Sequence, residues 1–223
     1  MENKEQMQLE EMLLKYKMAS KVLYTGLDNL IDEYKYRTQT NPVEHIKGRI
    51  KEMDSASKKL KKKGYELTPD NLQKHIHDMV GVRIVCTFQD EVNEIVQLIQ
   101  QSDNFEITEE KDYITHPKES GYQSYHMNVS IPIPYQDDIE YVDGEIQIRT
   151  VMMDAFAAIE HKLQYKNENI NSDIANYIGN QMSQCSEYLS IIDDKMQQLD
   201  ELQSNNSKGF ERGKTKHKSY GKN

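Results

Sequence analysis

The sequence predicts a mixed α+β fold, a β-sheet flanked by helices with a long helix at each end of the chain. Three observations carry this. Met79 to Phe88 (MVGVRIVCTF) is a short, nearly continuous apolar run rich in β-branched residues, as expected of a central strand covered on both faces. Ile139 to Thr150 ends in strict alternation, with Glu145, Gln147 and Arg149 on one face and Ile146 and Ile148 on the other, the period of a strand with one polar side. Gln6 to Arg37 and Ser172 to Gln203 repeat apolar residues at helical spacing without proline, which predicts two long amphipathic helices.

In chain order, the first helix places Leu9, Met12, Leu13, Tyr16, Leu23, Leu27, Leu30, Ile31 and Tyr34 along one side. Asn41-Pro42 then reads as a helix entry, and the basic stretch from Val43 to Lys63 reads as a second helix stopped by Gly64. On such a helix Lys47, Lys51, Ser55 and Lys58 or Lys59 share one face, either as a solvated lysine surface or as an anion grip. After the Met79–Phe88 strand come a helix from Asp90 to about Gln101 and a strand from Phe105 to Tyr113. The polar stretch His116 to His126 (HPKESGYQSYH) leads into apolar Met127 to Ile133. Helices fill Val151 to Tyr165 and Ser172 to Gln203. In the last, Ile178, Met182, Cys185, Leu189, Ile192, Met196 and Leu199 alternate by four and three, a heptad seam that needs a partner helix from this chain or a second subunit.

Composition narrows the class. The chain has 223 residues, enough for one domain to bury a core without disulfides. Residues 1–203 are read as that domain and 204–223 as a basic, disordered tail. The net charge is -9, with +5 in the tail and -14 in the rest, which disfavours a general nucleic-acid binder; RNA binding through the tail is not expected. Cys86 and Cys185 read as buried free thiols in a reducing cytoplasm. No run approaches the roughly 18 apolar residues of a membrane span.

Two features point to chemistry. Arg83 lies in the middle of an apolar strand, where a guanidinium is costly unless it is salt-bridged or faces a wet cleft. Asp78 at the mouth of that strand and Glu145 on the polar face of another have the carboxylates that magnesium takes alongside substrate phosphates. A turn residue and a cross-strand ion-pair partner are the plainer readings of the two acids, and spacing leaves both open.

The ordered motifs HDMVGVRIVCTF (His77 to Phe88), HPKESGYQSYH, EIQIRT (Glu145 to Thr150) and AAIEHKLQYK (Ala157 to Lys166) resemble the synthetase domain of the RelA/SpoT homologues. In particular they resemble the stand-alone small alarmone synthetases of bacteria, nearer the RelP than the RelQ type. The resemblance spans about Asn41 to Lys166. It implies a nucleotidyltransferase-like mixed sheet and a homotetramer. It also implies transfer of the β,γ-pyrophosphate of ATP to the ribose 3′-hydroxyl of GDP or GTP, making ppGpp or pppGpp for the stringent response, without hydrolysis of the alarmone.

By the same resemblance Asp78 and Glu145 hold Mg2+, with Glu145 also the base at the 3′-hydroxyl. Arg49 and Arg83 sandwich adenine. Lys51, Ser55 and Lys58 or Lys59 contact the ATP phosphates. Tyr122 stacks on guanine, while Lys118, His126, Gln147 and Arg149 position the acceptor's phosphates and ribose. Asp154 stands where an asparagine is expected and can accept from the guanine N1–H and N2–H. Glu52 and Asp54 interrupt the cations of the basic segment, which leaves the phosphate contacts less defined.

Overall fold

The computed structural model describes residues 2–166 and 171–217. Five strands form one mixed sheet in the order β1-β2-β5-β4-β3. They are β1 (Val43–Ile50), β2 (Val80–Cys86), β3 (Glu106–Asp112), β4 (Tyr125–Tyr135) and β5 (Asp138–Thr150). Strands β2 and β5 run parallel, and the other neighbours pair antiparallel. The helices are α1 (Glu2–Thr38), α2 (Met53–Lys62), α3 (Pro69–His75), α4 (Gln89–Gln100), α5 (Val151–Lys166) and α6 (Ser172–His217).

One face of the sheet makes the core. Val80, Val82, Ile84 and Cys86 of β2 join Met127, Val129, Ile131 and Ile133 of β4 and Ile146 and Ile148 of β5, and α1 and α4 cover them. The α1 stripe is Tyr16, Ala19, Leu23, Leu27 and Ile31, all buried, at the three- and four-residue spacing that puts them on one side. Gly26 leaves room for Phe105, whose ring carbon lies 2.6 Å from where a Cβ would stand. Truncating a fully buried residue such as Leu23 or Ile146 to Ala costs about 2–5 kcal/mol.

Three expectations are corrected. The basic stretch is a strand followed by a short helix, not one helix. Edge pairing with β2, from Val43 opposite Cys86 to Ile50 opposite Val80, outweighs local helix propensity. Gly48, disfavoured in a helix interior by about 1 kcal/mol, gives Tyr24 of α1 room to pack over the strand. Second, β2 is covered on its core side, but Gly81 and Arg83 of its other side face a cleft. Third, Cys185 is exposed while Cys86 is buried. The heptad seam of α6 divides: Met182 and Leu189 pack toward Tyr122 and Phe156, while Ile192, Met196 and Leu199 face outward.

Helix α3 was not anticipated, although its signal is in the sequence. Thr68 caps it by accepting from the Asn71 amide at 3.2 Å, and Pro69 opens it, the favoured start of a helix. Helix α6 runs past Gln203 to His217.

Candidate active site

The polar face of the sheet is assembled by cross-strand register. One row runs Lys47, Arg83, Gln147, His126, Lys111 across all five strands. The next runs Arg49, Gly81, Glu145, Asn128, Glu109. Alternation within each strand keeps the apolar neighbours on the core side, so ordinary β geometry brings residues from the whole chain into one plane. These rows floor an open cleft of about 810 Å³, a size that suits small-molecule ligands. Its lining carries eight Lys or Arg against four Asp or Glu, whereas the chain is net negative. The cleft is therefore locally positive.

Asp78 lies in the turn just before β2. Lys51 Nζ bonds its Oδ2 at 2.8 Å and Lys59 Nζ its Oδ1 at 3.0 Å. Burial pushes the carboxyl up, but the two ammonium groups outweigh burial and hold it below its ordinary value. Glu145 is governed the same way. Burial raises its pKa, while His126, with Nδ1 at 3.1 Å from Oε1, and the Gln147 amide on Oε2 pull it below the ordinary carboxyl value. Both acids line the cleft ionised at neutral pH.

A hydrogen-bonded cluster extends from Glu145. Tyr122 Oη lies 2.9 Å from His126 Nε2 and accepts from Arg149 Nη2. Arg149 is 2% exposed. It donates to Ser124 Oγ at 3.2 Å, Gln147 Oε1 at 2.6 Å and Asp154 Oδ1 at 3.2 Å. Asp154 is shared with Arg83 Nη1 at 3.0 Å. Burial, with the charges of Arg149 and Arg49, lowers the Arg83 pKa against the pull of Asp154. The Arg83 Nε is buried and has no partner among the described residues. The Lys118 ammonium sits 4.6 Å from the ring centres of both Tyr113 and Tyr122, a cation held over two π faces.

The structure thus gathers Arg49, Lys59, Asp78, Arg83, Lys118, Tyr122, His126, Glu145, Gln147 and Arg149 around one cleft. Lys51 joins through Asp78, and Asp154 through the two arginines. Ser55 and Lys58 are exposed on α2, outside the cleft lining. Tyr122 is itself buried, 9% exposed as a residue. Sequence reading missed Lys111 and Asn128, which line the cleft; Asn128 has the same parity on β4 as His126, a signal that was available. It also missed His161 and Lys162, cleft-lining residues on α5 that lie inside the motif Ala157 to Lys166 and share a helix face with Ala157 and Ala158.

Residues 48–170 match the family described as a region found in RelA / SpoT proteins. The chain is 38% identical over 184 residues to GTP pyrophosphokinase YwaC of Bacillus subtilis (strain 168), covering 82% of this chain and 86% of the relative. The solved small alarmone synthetase 1 from Bacillus subtilis, bound to its product pppGpp, superposes with a TM-score of 0.76 at 32% identity, covering 86% of this chain and 96% of that one. Small alarmone synthetase 2 from the same organism gives 0.75 at 34% identity, with 86% and 98% covered. With the family match spanning more than half of its length and the fold shared nearly end to end, this chain belongs to the RelA/SpoT family, among its small alarmone synthetases.

Proposed function

We propose that the chain transfers the β,γ-pyrophosphate of ATP to the 3′-hydroxyl of GDP or GTP, releasing AMP and forming ppGpp or pppGpp. The observation that carries this is the pairing of two ionised carboxylates, Asp78 and Glu145, with a surplus of cations in one cleft. In the reaction the 3′-oxygen bonds to the β-phosphorus as the bond from that phosphorus to the α,β-bridging oxygen breaks. Glu145 accepts the hydroxyl proton as attack proceeds. Its low pKa makes it a base that takes the proton late, as the hydroxyl acidifies on bonding to phosphorus, and not from the resting alcohol. His126 and Gln147 fix its two oxygens.

Lysine and arginine side chains neutralise the charge of the transferring group, which is the main work in phosphoryl chemistry. Arg49 and Arg83 offer flat cations to the adenine, and Lys51 and Lys59 serve the ATP phosphates; Ser55 and Lys58, exposed outside the cleft lining, would reach only phosphate that extends over α2. Lys118, Tyr122, Gln147, Arg149 and Asp154 serve the guanine nucleotide, the last two through the network they form with Tyr122 and Arg83.

The donor set fits magnesium. Two ionised carboxylates face one cleft, and no cluster of three His, Cys, Asp or Glu able to cage a metal occurs among the described residues, the pattern expected where phosphates and water complete an Mg2+ shell. Asp78 and Glu145 would hold the ion, which when bound supplies charge neutralisation to the polyphosphate.

We assign the working form to a homotetramer in the cytoplasm. Support comes from the outward apolar row of α6, from two unpaired cysteines and from the lack, among described residues, of any helix long and apolar enough to cross a membrane.

The test is a nucleotide separation with ATP, GDP or GTP, and Mg2+. AMP should appear in step with a guanosine polyphosphate, and Glu145→Gln should cut kcat by about 10²–10⁴-fold while the chain still melts in one cooperative transition. Undiminished turnover in that variant would overturn the role of Glu145, and binding without any product would overturn the reaction.

A further inference from the structure

Helix α6 reaches the acceptor side of the cleft from behind. Gly121 closes a turn between Lys118 and Tyr122, with the Gly121 N–H on the Lys118 carbonyl at 2.8 Å and the Lys118 N–H on the Tyr122 carbonyl at 3.2 Å. The φ of Gly121 is +84°, a region that a side chain would strain. Buried Ser186 of α6 donates its hydroxyl to the Gly121 carbonyl. A helical serine ordinarily returns that hydroxyl to its own preceding turn or to water, so a bond across 65 residues of sequence marks a specific junction. The packing there is as close as the bonding: a Cβ on Gly121 would stand 2.5 Å from Ser186 Cβ and 3.4 Å from Ser183 Cα. Immediately beyond, Tyr122 packs with Phe156, Ala157, Met182 and Leu189, and its hydroxyl meets His126 and Arg149.

The geometry points to Ser186 as a positioning residue for the guanine nucleotide. By pinning the Gly121 carbonyl it holds Lys118 and Tyr122 at the acceptor end, while the Arg49 and Arg83 end is built on β1 and β2 and reaches Tyr122 only through Asp154 and Arg149. The inference rests on the proposed function in taking this end as the acceptor side.

Ser186→Ala in the full chain keeps the Cβ and deletes only the hydrogen bond. A bond of this kind is worth about a three- to tenfold change in equilibrium, so the KM for GDP should rise about three- to tenfold while the KM for ATP holds and the melting temperature falls by only about 2–5 °C. Ser186→Cys, which keeps a weak donor, should fall between. Gly121→Ala, with both a steric and a φ penalty, should raise the same KM further. An unchanged KM for GDP overturns the inference, and so does a parallel rise in both KM values, the pattern of a merely structural residue. Calorimetric titration of unlabelled GDP without ATP separates the two readings. If the wild-type chain makes no alarmone, the proposed reaction fails, and weaker binding of this probe by S186A supports the positioning role while equal binding overturns it.

Discussion

Arg149 shows how one residue organises the proposed acceptor side without being exposed. Its donors are distributed over Ser124, Asp154, Gln147 and Tyr122, so its effect on a substrate passes through the groups it holds. Removing one partner of a buried ion pair costs about 3–5 kcal/mol. Asp154 would keep Arg83, and Arg83 would be relieved of a neighbouring positive charge, so Arg149→Met should sit at the low end, about 3 kcal/mol. Urea denaturation checks this; a loss under about 1 kcal/mol would mean that the network contributes little. The acids carry the opposite pH sense from an isolated buried carboxyl. Asp78 and Glu145 have folded pKa values below their ordinary ones, so the stability they contribute is present above the ordinary carboxyl range and lost only as pH falls below it. The alternation of Glu145, Gln147 and Arg149 was legible because strand parity is local. The salt bridge of Arg83 was not, because Asp154 is on another element; Arg83 both makes that bridge and faces the cleft.

At the scale of elements, β1 and α6 decide the most. Had Val43 to Lys63 been one helix, Lys47 and Arg49 would not face Arg83 and Gly81 across a strand pair. Edge pairing put them there, and a one-residue slip in register would have sent them to the wrong face. Helix α6 is fastened at three points: Ser186 to Gly121, Asp193 to Thr150 Oγ at 2.6 Å, and Gln197 to the Asp90 amide at 3.1 Å. Asp193 is 7% exposed, and burial, with Asp194 adding to it against the Thr150 bond, raises its pKa to about 6. A raised carboxyl pKa favours folding fully below the ordinary value and loses that contribution as pH rises through about 6. Above it, the buried charge costs up to about 3 kcal/mol. Asp193→Asn keeps an acceptor for Thr150 and removes the charge, so its melting temperature should exceed that of the wild type at pH 8 and converge with it near pH 4–5. Equal differences at both pH values would show that Asp193 is not titrating against the fold.

For the whole molecule, the surface most in need of explanation is the outer side of α6, where Tyr188, Ile191, Ile192, Met196, Leu199 and Leu202 stand exposed. A contiguous apolar row of this kind marks an interface. The chain should sediment as a tetramer, and Ile192→Glu with Leu199→Glu should shift it toward smaller species; a wild-type monomer at micromolar concentration would overturn the assignment. The sequence by itself determined the strands' two faces, the amphipathic helices and the motifs of the family, because side-chain period and motif are properties of neighbouring residues. Only the tertiary structure decided that Asp78 and Glu145 share one cleft, that β1 is a strand, and that α6 turns Ser186 and Asp193 inward but Cys185 outward. Each of these depends on register and packing between segments far apart in the chain, where pairing and burial outweigh the fractions of a kcal/mol in local propensity.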